Sequence, residues 1–329
     1  MPLGELAKPI SGVAAFLVAM TALILTFARG RLPINRHLIA AAFSLNGLVA
    51  MLLLLSHRKI QRRITTALER NPQSIWLVPF TALLLYLVYA VGTSSFNTLG
   101  FFKIVAYALL PTVLLSKVRE TKQRLAWQDL LAILALWLPL DFRWMHDVWV
   151  WPRHSLAYSM NSLLATVLAV LLFVCVRRLE GVGYHCDLGK ADIWIGIRNF
   201  LLFAPIAIAI GLVTGFIAIS NRQLPFWELP LSALGIFLLI GLPEELLFRG
   251  IVQNFLEKTI GRADVSLVIA SVIFGASHLN NGPRPDWRYF LLASLAGLFY
   301  GNAYQRTRGL VAPAIVHTLV DAVWRAFFR

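Results

Sequence analysis

The segment GLPEELLFRG, residues 241–250, combines two adjacent carboxylates and an arginine with strongly apolar neighbours. Glu245 and Arg249 are four residues apart, so in a helix they share one face and can form an ion pair. Glu244 is turned about 100° from Glu245 around the helix axis. The two carboxylates therefore face different surroundings, an arrangement in which one can act as a general base while the other supports it.

Two further segments carry paired residues at helical spacing. In VIFGASHLNNG, His278 follows Phe274 by four positions. In PAIVHTLVDAVW, Asp321 follows His317 by four positions. A single histidine in a membrane helix usually forms a hydrogen bond to another helix. Two histidines together with carboxylates on neighbouring apolar segments indicate a polar site where several helices meet.

The composition is that of a membrane protein. Of 329 residues, 58% are hydrophobic and 14% are charged, whereas soluble domains are about half apolar and a quarter charged. Apolar stretches long enough to span a bilayer, about 17–25 residues, recur along the chain. We predict an all-α, polytopic transmembrane helix bundle of about 11 (9–11) spans. The candidates are residues 9–28, 38–56, 74–93, 99–115, 126–140, 156–176, 200–220, 231–249, 265–279, 289–304 and 311–327.

The charged segment is costly to insert into a bilayer. Three charges at the membrane centre cost about 8–10 kcal/mol, and the eleven Leu, Ile and Phe residues from Leu231 to Phe248 return only about 5 kcal/mol on the same scale. Pro243 removes a backbone donor just before the glutamates, where we expect the helix to loosen. This helix therefore needs polar partners inside the bundle.

A polar stretch at residues 177–199 divides the chain. We predict an N-terminal transmembrane region at 1–176, with about six spans and no assigned role, and a catalytic membrane domain at 200–329. The three charged motifs all lie in the second region, so we expect the chemistry there.

The net charge of +14 does not indicate nucleic-acid binding. Lys and Arg lie in short connections between the predicted spans, with five in residues 57–73 and four in residues 116–124. This distribution follows the positive-inside rule. Even-numbered connections hold 17 Lys and Arg and odd-numbered ones hold 8, which predicts a cytoplasmic N-terminus. Three arginines in the first connection, Arg29, Arg31 and Arg36, oppose that orientation.

The two cysteines, Cys175 and Cys186, lie at or beyond the end of the sixth predicted span, on the predicted cytoplasmic side. Thiols stay reduced in the cytosol, so we expect two free thiols and no disulfide.

The segments EELLFR, FGASH and HTLVD match, in order, the motifs EExxxR, FxxxH and HxxxN/D. With them the chain resembles the type II CAAX prenyl protease and bacteriocin-processing family of glutamic intramembrane proteases, over about residues 195–325. Each motif alone is weak, whereas all three in order on apolar segments are specific. The resemblance implies an endopeptidase in the lipid bilayer, in the plasma membrane of a bacterium. Its substrate would be a membrane protein or a lipid-associated peptide.

The resemblance also implies a role for each motif. Glu244 activates a water for attack on a peptide bond, and Glu245 and Arg249 hold the helix and tune that carboxylate. The first histidine helps to position the water, and the second histidine, with the residue four later, stabilises the oxyanion. Six residues are thus predicted to form the catalytic site: Glu244, Glu245, Arg249, His278, His317 and Asp321.

Asp321 departs from the asparagine of the best-known family members. An ionised aspartate only accepts hydrogen bonds and would repel an oxyanion. Two roles stay open for it: it orients His317 and keeps that imidazole protonated, or it is itself protonated.

Three alternatives to a glutamic protease follow from the same residues. Glu, His and Asp are zinc ligands, but no HExxH is present and each motif offers at most two ligands on one face. We therefore predict no metal and no cofactor. A transporter or proton relay also uses intramembrane carboxylates and histidines, but the internal repeats typical of transporters are not detected. The third alternative, a catalytically silent membrane partner or immunity factor, is disfavoured by the complete motif set.

Overall fold

The computed structural model describes residues 7–28, 34–118, 123–185, 187–220, 228–282 and 284–328. These residues are helical apart from turns, loops and one isolated antiparallel bridge between Ile219 and Phe328. The prediction of an all-α protein is therefore confirmed.

The described helices fall into two compact units of the chain. The first unit contains the described residues before position 122 together with Ala126–Leu179, and the second contains residues 123–125 and the described residues from Glu180 onward. Helices of the first unit are α1 (Ala7–Ala28), α2 (Arg36–Leu55), α3 (Arg58–Arg70), α4 (Leu77–Gly92), α5 (Thr98–Ser116), α6 (Trp127–Asp141) and α7 (Ala157–Val176). Helices of the second unit are α8 (Lys190–Val213), α9 (Glu228–Ile260), α10 (Ala263–Ser277), α11 (Trp287–Thr307) and α12 (Val311–Phe327).

Six of these helices are long and apolar enough to cross a membrane. They are α2, α4 with the short 3₁₀ turn before it, α5, α7, α8 and α9; α10 and residues Pro9–Ala22 of α1 are apolar but shorter. The predicted count of about 11 spans is not confirmed, although a helix overlaps each of the eleven predicted segments.

In the first unit, Arg177 and Asp129 form a buried ion pair, with 2.9 Å between Nε and Oδ1. Cys175 is a free, buried thiol, as predicted. Cys186 lies outside the described residues. The functional role of the predicted regions stays a prediction.

The second unit departs from the predicted boundaries in two places. Helix α8 begins at Lys190, inside the predicted polar connection, where the backbone N–H of Gly189 donates to the Asp192 carboxylate at 2.9 Å. Such a bond satisfies a backbone donor at the start of a helix. Helix α9 continues to Ile260, well beyond the predicted end of that span at residue 249, and stops where Gly261 adopts a left-handed conformation with φ of 76°.

Helix α9 is widened on both sides of its two glutamates. Residues Phe237–Gly241 and Leu246–Gln253 are π-helical, and the short segment between them, Leu242–Glu245, is α-helical. Pro243 has no N–H and crowds the carbonyl four residues earlier, which lies in the first widened segment. The loosening expected at this proline is therefore present, and π-helical turns are frequent at functional sites.

Two glycines of α11 let neighbouring helices approach its backbone. A Cβ atom added at Gly297 would lie 2.9 Å from the backbone Cα of Ser271 on α10, and one at Gly301 would lie 2.5 Å from Gln253 Oε1 on α9. This approach brings polar side chains of α9 to backbone carbonyls of α11. Arg249 Nη2 donates to Gly297 O at 3.5 Å, and Gln253 Nε2 donates to Gly301 O at 3.4 Å. Small residues of this kind are typical of helix contacts in membranes.

We predict that Gly297→Ala lowers the free energy of unfolding by about 1–3 kcal/mol, because the new methyl group meets the Ser271 backbone and α10 and α11 must separate. The midpoint of thermal unfolding of the purified protein in detergent measures this change. Gly235→Ala on α9 is the matched control, since no atom lies within 4 Å of its added Cβ. Equal midpoints for the two variants would contradict the close packing described here.

Candidate active site

Glu245 is the centre of a buried polar network that joins α9 to α12. Its side chain is fully buried, and Oε2 lies 3.1 Å from Nε of the equally buried Arg249, one turn along the same helix. The imidazole of His317 donates from Nδ1 to Glu245 Oε1 at 2.8 Å. Glu245 therefore contacts a cation of its own helix and a histidine of another helix.

Glu244 lies on the other side of the same imidazole and is less buried. Its Oε2 is 3.8 Å from His317 Nε2, and 24% of its side chain is exposed. Asp321 Oδ2 lies 3.7 Å from the same nitrogen, so Asp321 is beside His317, where the four-residue spacing placed it. Three carboxylates thus surround one imidazole, with one on the Nδ1 side and two on the Nε2 side.

An aromatic shell encloses these charges. The Arg249 guanidinium lies 4.3 Å from the ring centroid of Phe274 and 5.1 Å from that of Tyr300. His317 stacks on Tyr300 with 5.0 Å between ring centroids and an interplanar angle of 22°. Rings placed over a buried cation interact favourably with it and exclude water from it.

His278 occupies the C-cap of α10, directly after the helix ends. Its Nδ1 lies 2.8 Å from the carbonyl oxygen of Phe274, to which it can donate. Its ring contacts Phe274 at 4.6 Å and Tyr289 at 4.9 Å, and Phe274 also faces His317 at 6.0 Å. Phe274 therefore lies between the two histidines of the predicted site.

The turn at Gly261 brings Glu244 and His278 to the same level. Glu244 lies seventeen residues before Gly261 and His278 lies seventeen residues after it. Residues equally far from the turn of a helical hairpin lie at roughly similar heights, since an α-helix rises about 1.5 Å per residue and the wider π-helical turn Leu246–Gln253 rises somewhat less.

An apolar cavity of about 360 Å³ lies beside the network. His278, His317 and Asp321 line it, whereas Glu244, Glu245 and Arg249 are not part of its lining. A second cavity, of about 800 Å³, shares Phe216, His278 and Tyr289 with the first, and its other lining residues are Thr214, Leu279, Asn281, Gly282, Arg284, Pro285, Asp286, Trp287 and Arg288. The other lining residues of the first cavity are mostly apolar: Phe200, Phe203, Ala204, Ala207, Ile208, Phe216, Ile217, Ile236, Ile240, Phe274, Tyr289, Leu292, Ala293, Ala296, Tyr300, Val320, Val323, Trp324, Arg325 and Phe328.

The structure thus brings the three motifs together around His317, and two of them line the cavity beside it. Within the described residues, no group of three or more His, Cys, Asp and Glu side chains is arranged to hold a metal ion. Two tyrosines of the site, Tyr289 and Tyr300, were missed by the sequence analysis. Their separation of eleven residues, three helical turns, puts both on one face of α11 and is the signal that could have identified them.

We predict that Glu245→Gln lowers the free energy of unfolding by about 3–5 kcal/mol, because it leaves the buried Arg249 cation without its counter-charge. The yield and thermal midpoint of the protein in detergent measure the effect. Glu257→Gln is the control: Glu257 pairs with Arg308 near the surface at 2.9 Å, where loss of a pair costs about 1 kcal/mol or less. Similar losses for both variants would contradict the special role of Glu245.

Comparisons with known proteins agree with the motifs. Residues 225–323 match the family described as type II CAAX prenyl endopeptidase Rce1-like. The chain is also 32% identical over 92 residues to the uncharacterized protein YpbD of Bacillus subtilis (strain 168). That alignment covers 28% of this chain and 43% of the relative, so the chain matches less than half of that protein's length. No solved structure matches the chain.

The matched segment begins just before α9, ends within α12 and contains all three motifs. Together with the apolar helices, the match identifies an integral membrane protein. The resemblance predicted from EELLFR, FGASH and HTLVD is therefore confirmed: residues 225–323 match the Rce1-like family of type II CAAX prenyl endopeptidases.

Proposed function

We propose that this protein is an intramembrane endopeptidase in which Glu244 activates a water for hydrolysis of a peptide bond. The main observation that supports this proposal is the difference between the two adjacent carboxylates. Glu245 is fully buried and held by Arg249 and His317, whereas Glu244 is partly exposed and lies 3.8 Å from His317 Nε2. A carboxylate that is neutralised by an arginine serves as support, and the neighbouring one serves as the base.

The proposed reaction uses one water and no covalent intermediate. Glu244 takes a proton from the water, and the water oxygen attacks the carbonyl carbon of the substrate. A tetrahedral oxyanion is formed. The C–N bond then breaks, and Glu244 returns the proton to the leaving amine, so that one acid and one amine are formed. His278 helps to position the water. Its Nδ1 is within hydrogen-bonding distance of the Phe274 carbonyl, so its Nε2 can form a hydrogen bond with the water.

Asp321 acts in this proposal through His317. An imidazolium donates hydrogen bonds from both nitrogens, and His317 has a carboxylate at Nδ1 and two more within 4 Å of Nε2. The three carboxylates around His317 favour the first of the two roles left open above, in which Asp321 orients His317 and supports its protonated form. The positive imidazolium, in turn, faces the region where negative charge develops.

The substrate in this proposal is a membrane protein or a lipid-associated peptide. The cavity volume of about 360 Å³ falls within the range of about 300–1,000 Å³ typical of small-molecule sites, and its lining is mostly apolar. It therefore suits apolar side chains beside the cleaved bond. We further propose that the protein resides in the plasma membrane of a bacterium with its N-terminus in the cytoplasm. No cofactor is part of the mechanism.

We predict that Glu244→Gln abolishes proteolysis while the expression level and thermal midpoint stay near those of the wild type. The variant keeps the size and polarity of the side chain and removes only the base. Quantitative membrane proteomics of cells producing the wild type or the variant should reveal at least one uncut precursor that accumulates with the variant. Glu257→Gln, whose carboxylate pairs with Arg308 away from the site, is the control and should process that precursor normally.

Three results would contradict this function. If the Glu244→Gln variant processed every membrane protein at the wild-type rate, Glu244 would not be the base. Activity of the purified wild type that is lost in a chelator and restored by zinc would favour a zinc-dependent protease instead. Unaltered proteomes together with substrate flux across reconstituted vesicles would favour a transporter.

A further inference from the structure

Tyr300 of α11 is buried beside His317 and lines the apolar cavity. Only 2% of the residue is exposed, and its ring contacts the His317 imidazole and the Arg249 guanidinium. Within the part of the chain that the structure describes, no protein group forms a hydrogen bond with its hydroxyl group, and this oxygen is not among the fully enclosed polar atoms that lack a partner. The hydroxyl group is therefore open to the cavity. A tyrosine hydroxyl that is fully enclosed normally has a protein partner, because removing such a group from water without compensation is costly.

Other buried tyrosines of this protein follow that rule. The hydroxyl groups of Tyr86, Tyr89 and Tyr107 donate to backbone carbonyls at 3.2, 2.6 and 2.8 Å. Tyr304, one helical turn beyond Tyr300, donates to the carbonyl of Gly181. Tyr300 differs from these four residues in lining a cavity next to the candidate site. Its hydroxyl group is therefore available to a bound molecule.

A second hydrogen-bond donor beside the His317 imidazolium would add to the stabilisation of an oxyanion. An oxyanion is stabilised by donors fixed before the reaction, and an ionised Asp321 cannot donate. His317 donates from Nδ1 to Glu245 and has two carboxylates near Nε2. Of the described groups that line the cavity next to His317, the Tyr300 hydroxyl is a neutral donor that no other described residue engages.

We propose that Tyr300 is a further catalytic residue, whose hydroxyl group donates a hydrogen bond to the carbonyl oxygen of the scissile peptide bond and to the oxyanion formed from it. This proposal rests on the proposed function, since it requires water attack assisted by Glu244. An asparagine at position 321 could donate this hydrogen bond. Here the proposal assigns the donor role to Tyr300, which lies on a different helix. The stack with His317 holds the phenol in place, so the donor is fixed before the substrate binds.

The hydroxyl group can be tested apart from the ring. Tyr300→Phe keeps the stack on His317 and the contact with Arg249, and removes the oxygen alone. Loss of one oxyanion donor lowers the rate of the chemical step by about 10²–10³-fold. We expect a decrease of this size in the rate at which Glu244-dependent precursors are converted, measured in living cells by pulse labelling with isotope-labelled amino acids followed by membrane proteomics.

Tyr304→Phe provides the matched control on the same helix. Its hydroxyl group bonds the Gly181 carbonyl, so its removal should lower the thermal midpoint and leave the rate per folded molecule unchanged. Tyr300→Phe should show the opposite pattern, with an unchanged midpoint and a reduced rate. The uncut precursor should still copurify with Tyr300→Phe, as with Glu244→Gln, because substrate binding is retained.

The outcomes separate this inference from the proposed function. A wild-type rate for Tyr300→Phe, with no processing by Glu244→Gln, would overturn the role of Tyr300 and leave the protease intact. A Tyr300→Phe variant whose thermal midpoint falls in proportion to its activity would also overturn it, since the hydroxyl group would then be structural. Full processing by Glu244→Gln would instead refute the proposed function, and the role of Tyr300 with it.

Discussion

Burial of the Glu245 carboxylate is the constraint on which the candidate site depends. Each ion removed from water costs several kcal/mol, and a buried ion is tolerated only where charges and hydrogen bonds compensate it. Glu245 meets this requirement with Arg249 at 3.1 Å and His317 at 2.8 Å. Because the two partners lie on α9 and α12, the requirement fixes the rotation of α9 and the position of α12 together.

The positions of the other charged groups follow from that pair. Once Glu245 and Arg249 face α11 and α12, Glu244 points to a different side, and its Oε2 lies near His317 Nε2. Arg249 reaches the Gly297 carbonyl because the glycines of α11 let the helices approach each other. Phe274 and Tyr300 then cover the guanidinium and separate it from the cavity. The stability of the bundle and the geometry of the proposed base therefore depend on the same side chains.

The sequence predicted what local spacing determines. Residues four apart lie on one helical face, and this rule placed Arg249 beside Glu245 and Asp321 beside His317. The apolar segments predicted the all-helical fold, and the three motifs predicted the family match. Apolar composition alone does not determine the number of spans, because a helix such as α10, with 15 residues, is apolar but shorter than the helices that can cross a membrane.

Spacing rules within one helix do not predict the contacts between helices. The bond from His317 to Glu245 joins residues 72 positions apart, and no spacing rule shows which of two adjacent carboxylates a distant histidine contacts. The continuation of α9 to Ile260, which brings Glu244 level with His278, depends on where the chain turns at Gly261. Tyr300 belongs to none of the three motifs, and only its stack on His317 and its place in the cavity lining distinguish it.

The central claim is that Glu244 activates a water and does not itself attack the substrate. A single turnover of a Glu244-dependent precursor in ¹⁸O-labelled water, followed by mass spectrometry of the product and the enzyme, tests this claim most directly. We expect one ¹⁸O atom in the new carboxyl terminus of the product and none in the peptide that contains Glu244. An ¹⁸O atom in the Glu244 carboxylate after the first turnover would show a covalent acyl-enzyme and contradict the account.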